Sequence, residues 1–445
     1  MMDRIQLPHY TLRKHTTSIT KLLVIDKDII ELNEELQRKC ESTHITNIIP
    51  KLISTDEAGN IVLWDLITRR PIGNAVSPSG VAIIDIQLIA NKYLVYLSKD
   101  YTLRILDWSK FPSDLDYIFE MNVNTLNFAN FAASLDSNME TITLCCCNTQ
   151  DSETIDVYHI SISTKRLTRV FNHIDFYPMV KNVLQNMLNK VPDRLGMIMK
   201  FKQDLKTKTT FIGFESGIIV GYQIVLDKIV ITYLSAAHFP EPVLDLYILS
   251  TQQNFQSNVP VVATNKNNDN SDMGILLSSS TNNVVIKHYY SAHVNQTSRG
   301  DNNLELITNL QVSNSERLEV KDNKIAHVAA FNQFLIWSTW NGKLFIKNVV
   351  KNTVSKYKRS KSNIRPNESS KGSLSGNPTQ NNESKYMKIS AMEVYQSRLG
   401  NSNEIVPLNV MVMNSSRQRR LRQFISRSWC FIGYHDGTIS IYEIE

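Results

Sequence analysis

The chain has 445 residues, of which 42% are hydrophobic and 20% are charged, so it can bury the core of one large domain or of two to three ordinary ones. Its net charge of +6 is only mildly basic and gives weak support for a nucleic-acid partner. Its five cysteines are an odd number without paired spacing, which argues against a disulfide framework and indicates a reducing compartment.

No targeting or membrane segment is apparent. The N-terminal residues MMDRIQLPHYTLRKH contain no apolar signal-peptide core. The most apolar stretch, Gly80–Leu97, is interrupted by Asp85 and Lys92, and it falls short of the roughly 18 uninterrupted apolar residues of a membrane span. The sequence therefore predicts a soluble intracellular protein with no membrane partner.

The first element in the chain is a strand, Tyr10–His15, which ends at a histidine-containing turn before the apolar strand ITKLLVI. The next is a β-hairpin, Ser54–Leu66 (STDEAGNIVLWDL), whose Gly59 suits a tight reversal because glycine readily adopts positive φ. A strand, a polar turn and a second strand follow one another in this stretch. This order is the pattern sought in the rest of the chain.

The same pattern recurs six times, at Ser98–Trp108, Thr149–Ile160, Gly213–Ile224, Ser278–Tyr289, Ser338–Val349 and Gly433–Ile444. Aligned on Trp64, the copies have at that position Leu106, Tyr158, Tyr222, Lys287, Lys347 and Tyr442. The shortest interval, 42 residues, matches the period of a four-stranded propeller blade, and the longer ones indicate loop insertions. The sequence therefore predicts an all-β, seven-bladed β-propeller that occupies residues 1–445 as a single domain.

The two ends of the chain are predicted to meet. The last hairpin ends at Glu445 and leaves no residues for a fourth strand in its blade. We expect the strand Tyr10–His15 to complete that blade, because closing the ring leaves no open sheet edge.

Cys145, Cys146 and Cys147 are consecutive in a predicted strand, so Cys145 and Cys147 share one face and Cys146 lies on the other. Burial as small apolar side chains is one interpretation. Redox or metal chemistry with His159 is the other, although the spacing fits no standard zinc pattern.

Three insertions interrupt the repeat. Residues 172–190 are predicted to contain a helix, because Val180, Val183, Leu184, Met187 and Leu188 fall on one helical face. This face either packs on the propeller rim or docks a partner, and Val183 and Met187 are the candidate partner-binding residues.

The second insertion, residues 351–388, is rich in Ser, Asn, Lys and Gly and is predicted to be a disordered loop. It contains a short basic run, Lys356, Lys358, Arg359 and Lys361, which is interpreted as a solvated loop, a nuclear-import signal or a contact for an acidic partner.

The third insertion, Asn414–Trp429, carries the further candidate partner-binding residues Arg417, Arg419, Arg420 and Arg422. It is interpreted either as a solvated connector or as a binding surface for phosphate or carboxylate groups.

Several residues match the WD-repeat pattern. Trp64–Asp65 stands at the Trp-Asp position, and His15 and His238 stand at the histidine of the Gly-His turn. Asp436–Gly437 keeps the turn Asp-Gly of the last repeat, whereas Ala58 replaces the turn aspartate of the first. This replacement predicts incomplete hydrogen bonding in the turn of blade 1.

The blocks TLRKHTTSITKL, LISTDEAGNIVLWDLITRRPI, VPDRLGM, FIGFESGIIVGYQI, AHFPEPVLDL and FIGYHDGTISIYEI together resemble the fungal ASTRA-associated protein 1 family. The resemblance implies a nuclear, non-enzymatic scaffold subunit of the ASTRA complex. It also implies a link to chromatin regulation and to TTT-type maturation of phosphatidylinositol-kinase-related kinases, with protein subunits as partners. The alternative function is a chromatin or nucleic-acid reader that uses the basic insertions to contact histones or nucleic acid.

The residues indicate no enzyme chemistry. The pair Asp56–Glu57 has no phosphate-binding G-x-x-x-x-G-K-[ST] loop to serve, and no H-E-x-x-H, EF-hand or paired C-x-x-C motif occurs. It is interpreted as two solvated turn carboxylates. His15, Ser54 and Trp64 are expected to hydrogen-bond within a blade rather than to form a hydrolase site. No catalytic residue, cofactor, metal or small-molecule substrate is therefore predicted.

Overall fold

The computed structural model describes residues 7–25, 50–111, 116–123, 129–136, 138–249, 273–291, 311–312, 314–320, 324–360, 386–396 and 415–444. Seven antiparallel sheets follow one another as the blades of a β-propeller, which confirms the predicted fold. The innermost strands of blades 1, 2, 4, 5, 6 and 7 begin at a buried Ile or Val and contain a β-bulge just after it.

In chain order the strands of the first four blades, together with β1 of the last, are β1 (Tyr10–Arg13), β2 (Ile19–Ile25), β3 (Lys51–Asp56), β4 (Asn60–Asp65), β5 (Arg70–Val76), β6 (Ile83–Ile89), β7 (Tyr93–Ser98), β8 (Thr102–Asp107), β9 (Tyr117–Asn122), β10 (Ala132–Leu135), β11 (Thr141–Cys147), β12 (Ile155–Ser161), β13 (Leu167–Ile174), β14 (Ile198–Asp204), β15 (Thr209–Phe214), β16 (Ile219–Val225) and β17 (Lys228–Ser235).

The remaining strands are β18 (Val243–Leu249), β19 (Met273–Ser280), β20 (Val284–Ser291), β21 (Gln311–Val312), β22 (Asn314–Glu319), β23 (Ile325–Phe331), β24 (Phe334–Thr339), β25 (Lys343–Asn348), β26 (Thr353–Lys358), β27 (Ile389–Tyr395), β28 (Ser428–Tyr434) and β29 (Thr438–Ile444). Six blades have four strands, and blade 4 gains a fifth because β21 pairs in parallel with β17.

The ring is closed by β1, which pairs with β29 and completes blade 7 in the order β1-β29-β28-β27. Tyr10 lies opposite Ile441, and Arg13 lies opposite Thr438. The expectation that the N-terminal strand completes the last blade is therefore confirmed. Closure removes two exposed sheet edges, which would otherwise be free to pair with other chains.

The core lies between adjacent blades. All residues of β7, β15 and β24 are buried, because each of these strands is covered on both faces by neighbouring blades. The outermost strands β5 and β13 are mostly exposed. Apolar burial is thus concentrated in the inner strands, and the rim is left to turns, insertions and edge strands.

Glycine is required at the central turn of blade 1. Gly59 has φ +75°, and a Cβ there would lie 2.8 Å from the carbonyl oxygen of Val81 at the entry to blade 2. Gly437 is placed in the same way in blade 7, where a Cβ would lie 2.7 Å from the carbonyl oxygen of His15. These turns therefore set the distance between one blade and the next.

Two α-helices of the described residues lie outside the blades. Helix α1 (Tyr177–Met187) falls within the predicted insertion 172–190, with Pro178 in its first turn. Helix α2 (Ser415–Ile425) lies in the arginine-rich segment, for which no helix was predicted. Neither helix, nor any other in the described part of the chain, is long and apolar enough to cross a membrane.

The predicted disordered loop, residues 351–388, begins too early in the sequence. Residues Thr353–Lys358 form β26, which pairs with β25 and buries Tyr357. The strand had been missed because it is rich in Lys and Ser. Residues 361–385, including Lys361, lie outside the described residues, and the segments on either side of them are joined by a bridge between Ser360 and Tyr386.

Candidate interaction surface and buried polar sites

The central hairpin of blade 1 carries a buried hydrogen-bond chain. Nδ1 of His15 lies 2.7 Å from Oδ2 of Asp56, and its Nε2 lies 2.7 Å from Oγ of Ser54. The indole N–H of Trp64 donates to the same Ser54 oxygen at 2.7 Å. Ser, His and Asp follow the order of a hydrolase triad, but Ser54 is fully buried and its oxygen already accepts the indole proton. The chain therefore fastens the loop before β2 to the central hairpin.

Asp56 corrects two expectations. Its carboxylate accepts hydrogen bonds from the backbone N–H of Ala58 and of Asn60 at 3.0 and 2.9 Å, and from the Asn60 amide at 2.8 Å. The turn is thus fully bonded despite Ala58, because the carboxylate comes from two residues earlier. Asp56 is also completely buried, so only Glu57 of the acidic pair is solvated. Burial alone would raise the pKa of Asp56, but the bonds from His15 and Asn60 outweigh it and lower that pKa.

Asp65, the partner of Trp64 in the Trp-Asp pair, organises the next turn. Its Oδ1 accepts the backbone N–H of Ile67 and of Thr68 at 2.8 and 2.9 Å. Its Oδ2 lies 3.0 Å from Nη2 of Arg417 on α2. The repeat aspartate therefore joins blade 1 to the third insertion.

Blade 5 contains a related chain built from two histidines. Nε2 of His238 lies 2.8 Å from Oγ of Ser278, which lies 2.6 Å from Nε2 of His288. Nδ1 of His288 lies 2.8 Å from the hydroxyl of Tyr233. Burial lowers the pKa of His238 to about 4 and that of His288 to about 3, so both rings are neutral at pH 7. Ser280 stands where blade 1 has Asp56, and Nδ1 of His238 has no hydrogen-bond partner among the described residues.

The strand register corrects the repeat alignment in blade 5. Trp64 lies opposite Leu52, and the equivalent pair in blade 5 is His288 opposite Leu276. His288, not Lys287, is therefore the counterpart of Trp64. The ten-residue spacing from Ser54 to Trp64, repeated from Ser278 to His288, is the signal that could have found it.

In blade 7, Asp436 has a role that differs from that of Asp56. It caps its own turn through the backbone N–H of Thr438 at 3.1 Å and pairs with Arg359 at 2.7 Å. The buried positions are filled instead by Tyr434 and Tyr442, whose hydroxyls lie 3.0 Å apart. Arg359 of the basic run is therefore paired with Asp436 and is not a fully solvated side chain.

A belt of polar side chains, missed in the sequence, links the innermost strands around the ring. Nζ of Lys21 lies 2.6 Å from Asp85, and the Asn130 amide donates to the other oxygen of Asp85 at 3.0 Å. Asn130 also accepts the backbone N–H of Phe201 at 2.7 Å. These side-chain contacts, one of them with a backbone N–H, connect blades 1 to 4.

The belt continues through blades 4 to 6. Nζ of Lys200 lies 3.5 Å from Asp245, which accepts the backbone N–H of Val328 at 3.0 Å. Burial lowers the pKa of His327 to about 4 and raises that of Glu393 to about 7. The sequence does contain a signal for this belt. In five blades a polar residue follows two positions after the first apolar residue of the innermost strand: Lys21, Asp85, Lys200, Asp245 and His327.

The three consecutive cysteines are buried. Cys145 and Cys147 contribute to one core cluster and Cys146 to another, as strand alternation predicts. The Tyr222 hydroxyl donates to Sγ of Cys145 at 2.9 Å, and burial raises the pKa of that thiol to about 12. Protonated buried thiols are poor nucleophiles. Across the described ranges, no group of three or more His, Cys, Asp or Glu side chains is arranged to hold a metal.

Helix α1 packs on the propeller. Val180 and Leu184 are fully buried, and Val183 and Met187 pack partly buried against the same apolar cluster. Val183 and Met187 thus lie on the face of the helix that packs on the propeller, and their role in binding a partner stays a prediction. The exposed positions of the helix are Pro178, Met179, Lys181, Asn182, Gln185 and Asn186.

Helix α2 covers the junction between blades 7 and 1. Leu421, Phe424 and Ile425 are buried there, and Phe424 stacks on Trp429 with ring centroids 5.5 Å apart. The Trp429 indole N–H donates to the carbonyl oxygen of Phe424 at 2.9 Å. The segment is thus a packed helix and not a solvated connector, although its arginine-bearing face remains accessible.

The four candidate arginines of α2 divide into two groups. Arg417 is half-buried and pairs with Asp65, whereas Arg419, Arg420 and Arg422 are exposed. Arg420 lines a shallow pocket with the side chains of Tyr10, Leu66, Ile67, Arg69, Gln423, Phe424, Trp429 and Ile441. Within the pocket, the guanidinium carbon of Arg69 lies 3.0 Å above the ring centroid of Tyr10.

The closed ring of seven blades and the His15–Ser54–Trp64 network define a WD-repeat β-propeller. The propeller domain of Myceliophteria thermophila Cps50 (Swd1) has the same fold, with a TM-score of 0.53 and 12% identity over 98% of this chain and 99% of that chain. The profile of ASTRA-associated protein 1 matches residues 8–267.

Relatives carrying that name match over nearly the whole chain. The protein from Zygosaccharomyces rouxii is 32% identical over 100% of both chains, and the protein from Kluyveromyces lactis is 30% identical over 98% of both. The protein from Candida glabrata is 28% identical over 89% of this chain and 93% of its own. The chain belongs to the ASTRA-associated protein 1 family.

Proposed function

We propose that this chain is a non-catalytic scaffold subunit of the ASTRA assembly. The observation that carries the proposal is its full-length similarity to relatives named ASTRA-associated protein 1. The bonding of the polar groups supports it. His15, Ser54 and Asp56, which have the residue types of a catalytic site, are buried and bonded to one another within blade 1.

The geometry suits a rigid platform. β1 closes blade 7, α2 covers the junction of blades 7 and 1, and the polar belt joins the innermost strands of blades 1 to 6. Function in such a fold lies in surfaces grafted on it. We extend the proposal to a nuclear location, to chromatin regulation and to TTT-type maturation of phosphatidylinositol-kinase-related kinases, which are implied by the family resemblance.

The test is purification of the full chain, tagged at its native locus, from its own cells under gentle salt conditions. We expect recovery with large helical-repeat proteins of an ASTRA- or TTT-like assembly, and nuclear fluorescence of a tagged copy. The control is the same tag on an unrelated propeller. Recovery only as a free monomer contradicts the assembly, and exclusion from the nucleus contradicts the location.

A second candidate function is a chromatin or nucleic-acid reader, which is favoured by one observation: α2 exposes Arg419, Arg420 and Arg422 and contains no acidic residue. This function predicts DNA or histone binding with a steep salt dependence, lost when the three arginines become Ala. Binding that is absent or insensitive to salt contradicts it.

A further inference from the structure

Several arginines at the junction of blades 7 and 1, like Arg166 and Arg317 elsewhere, have no carboxylate partner among the described residues. Each of five other arginines has a carboxylate partner: Arg104, Arg169, Arg194, Arg359 and Arg427. For Arg69, Arg419 and Arg420, no carboxylate of the described residues lies within ion-pairing distance, although Asp65 is close enough to bind Arg417. We call Arg69, Arg419, Arg420 and Arg422 the α2 basic surface.

Two arginines of this surface, Arg69 and Arg420, line the same pocket, and neither has a carboxylate partner among the described residues. Arg69 is fixed by its stacking on Tyr10, and Arg420 lines the same pocket from α2. Burial and the neighbouring charge of Arg420 lower the pKa of Arg69, although the Arg69 guanidinium stays charged at pH 7. An anion between them would relieve the repulsion and form charge-assisted hydrogen bonds with each.

The floor of the pocket is apolar. Tyr10, Leu66, Ile67, Phe424, Trp429 and Ile441 line it. A ligand that satisfies both features has a carboxylate next to an apolar side chain, as an acidic protein segment does. A phosphate backbone has no apolar group to place against this floor.

We propose that the α2 basic surface binds an acidic segment of a partner protein, with one Asp or Glu carboxylate bridging Arg69 and Arg420 and an adjacent apolar side chain in the pocket. This inference rests on the proposed scaffold function and adds to it the place and the chemistry of one contact. Arg419 provides further positive charge for the acids that flank the bridging carboxylate.

The first experiment uses the full chain and defined probes. A fluorescent peptide of alternating Glu and Leu is titrated onto the wild type, Arg420→Glu and Arg166→Glu. Arg166→Glu is the matched control because Arg166 is an exposed turn arginine of blade 3. We expect Arg420→Glu to weaken binding at least about tenfold, since an attraction becomes a repulsion, and the control to bind as the wild type does.

Further probes separate the sources of affinity. Replacing Glu by Gln in the peptide should abolish binding, and replacing Leu by Gly should weaken it. Equal binding by the wild type and Arg420→Glu overturns the proposal. If a DNA duplex binds more tightly than the peptide and is lost in Arg420→Glu, the surface contacts nucleic acid and the proposal is also overturned. Matching circular dichroism and melting curves of the variants establish that folding is unchanged.

The second experiment distinguishes this inference from the function on which it rests. Wild type, Arg420→Glu and Arg166→Glu are purified in parallel from cells. Loss of one or more subunits only with Arg420→Glu supports the α2 basic surface. Full recovery with all three, together with peptide binding that does not respond to Arg420→Glu, overturns the surface while the scaffold function stands. Recovery of no subunit with the wild type contradicts the scaffold function itself.

Discussion

The carboxylate of Asp56 lies 2.7 Å from Nδ1 of His15 and connects the loop before blade 1 to the central hairpin of that blade. His15 also follows β1, the outer strand of blade 7. This buried contact therefore helps to couple the closing strand of the ring to blade 1.

Removing the Asp56 carboxylate should destabilise the fold strongly. Asp56→Ala leaves His15 and the backbone N–H groups of Ala58 and Asn60 without their acceptor in a buried place. We expect a loss of about 2–4 kcal/mol in the free energy of unfolding, measured by urea denaturation. The control is Glu57→Ala at the exposed neighbour, which should change it by less than about 0.5 kcal/mol. Similar losses in both variants would refute the assignment of Asp56 to the buried network.

Gly59 should tolerate no side chain. Gly59→Ala places a Cβ 2.8 Å from the Val81 oxygen at positive φ, and we expect a loss of about 2 kcal/mol or more. Gly80→Ala is the matched control, because Gly80 also has positive φ but its Cβ would meet nothing within 4 Å. Gly80→Ala should lower the free energy of unfolding by only about 1 kcal/mol. Thermal unfolding of the two variants measures the difference. If Gly80→Ala lost more stability than Gly59→Ala, close contact with blade 2 would not be the reason that the turn requires glycine.

Glu393 should make the protein less stable as pH rises. Burial raises its pKa in the folded state to about 7 from an ordinary 4.5, so the unfolded chain ionises first. Its contribution is present below pH 4.5 and is lost as pH rises through 7. Between pH 5 and pH 8 we expect the wild type to lose roughly 1–3 kcal/mol of its free energy of unfolding, as measured by urea unfolding at both pH values. Glu393→Gln should not show this loss. An unchanged pH dependence in the variant would contradict the burial of this carboxyl.

His238 should act in the opposite direction. Its folded pKa of about 4 lies below the ordinary 6.5, so its contribution to stability is complete above pH 6.5 and is lost as pH falls toward 4. We expect His238→Asn to have lower stability at pH 7 but a smaller loss between pH 7 and 5 than the wild type. Ring-proton NMR titration reports the pKa directly, and a value near 6.5 would be inconsistent with this assignment.

The described cysteines should be unreactive in the folded chain. Cys145, Cys146, Cys147 and Cys430 are buried, and burial raises the pKa of Cys145 and Cys146. Cys40 lies outside the described residues, so the measurement uses Cys40→Ser. We expect no reaction with a thiol reagent at pH 8 until denaturant is added, and four thiols afterwards. Fast labelling of any thiol in the native state would disprove their burial.

The repeat scaffold was predictable because hairpin turns and strand alternation are local signals. Gly59 and Gly437 mark the turns of blades 1 and 7 and so define the strand register there. In blade 5, Asn282 and Asn283 replace the glycine, and the alignment from sequence is wrong by one residue. A one-residue slip turns the other face of the strand inward, so Lys287 was aligned with Trp64 in place of His288.

What could not be predicted depends on distant contacts. Asp56 is recognisable as a network residue only once His15, 41 positions away, is placed beside it. Helix α2 has few apolar residues, and its three buried ones, Leu421, Phe424 and Ile425, have a partner only after blades 7 and 1 have met. The partner-binding role of the α2 arginines remains a prediction.

Pairing of β1 with β29 also bears on how the protein is made. More than 400 residues separate Tyr10 from its partner Ile441, so β1 leaves the ribosome long before the strand that it must pair with exists. Until then its backbone groups and the side chain of Leu12 stay uncovered, as do the apolar side chains of blade 1 that pack against blade 7. Final closure is therefore a late step of folding, and until it occurs the strand edge of β1 is available for pairing with another chain.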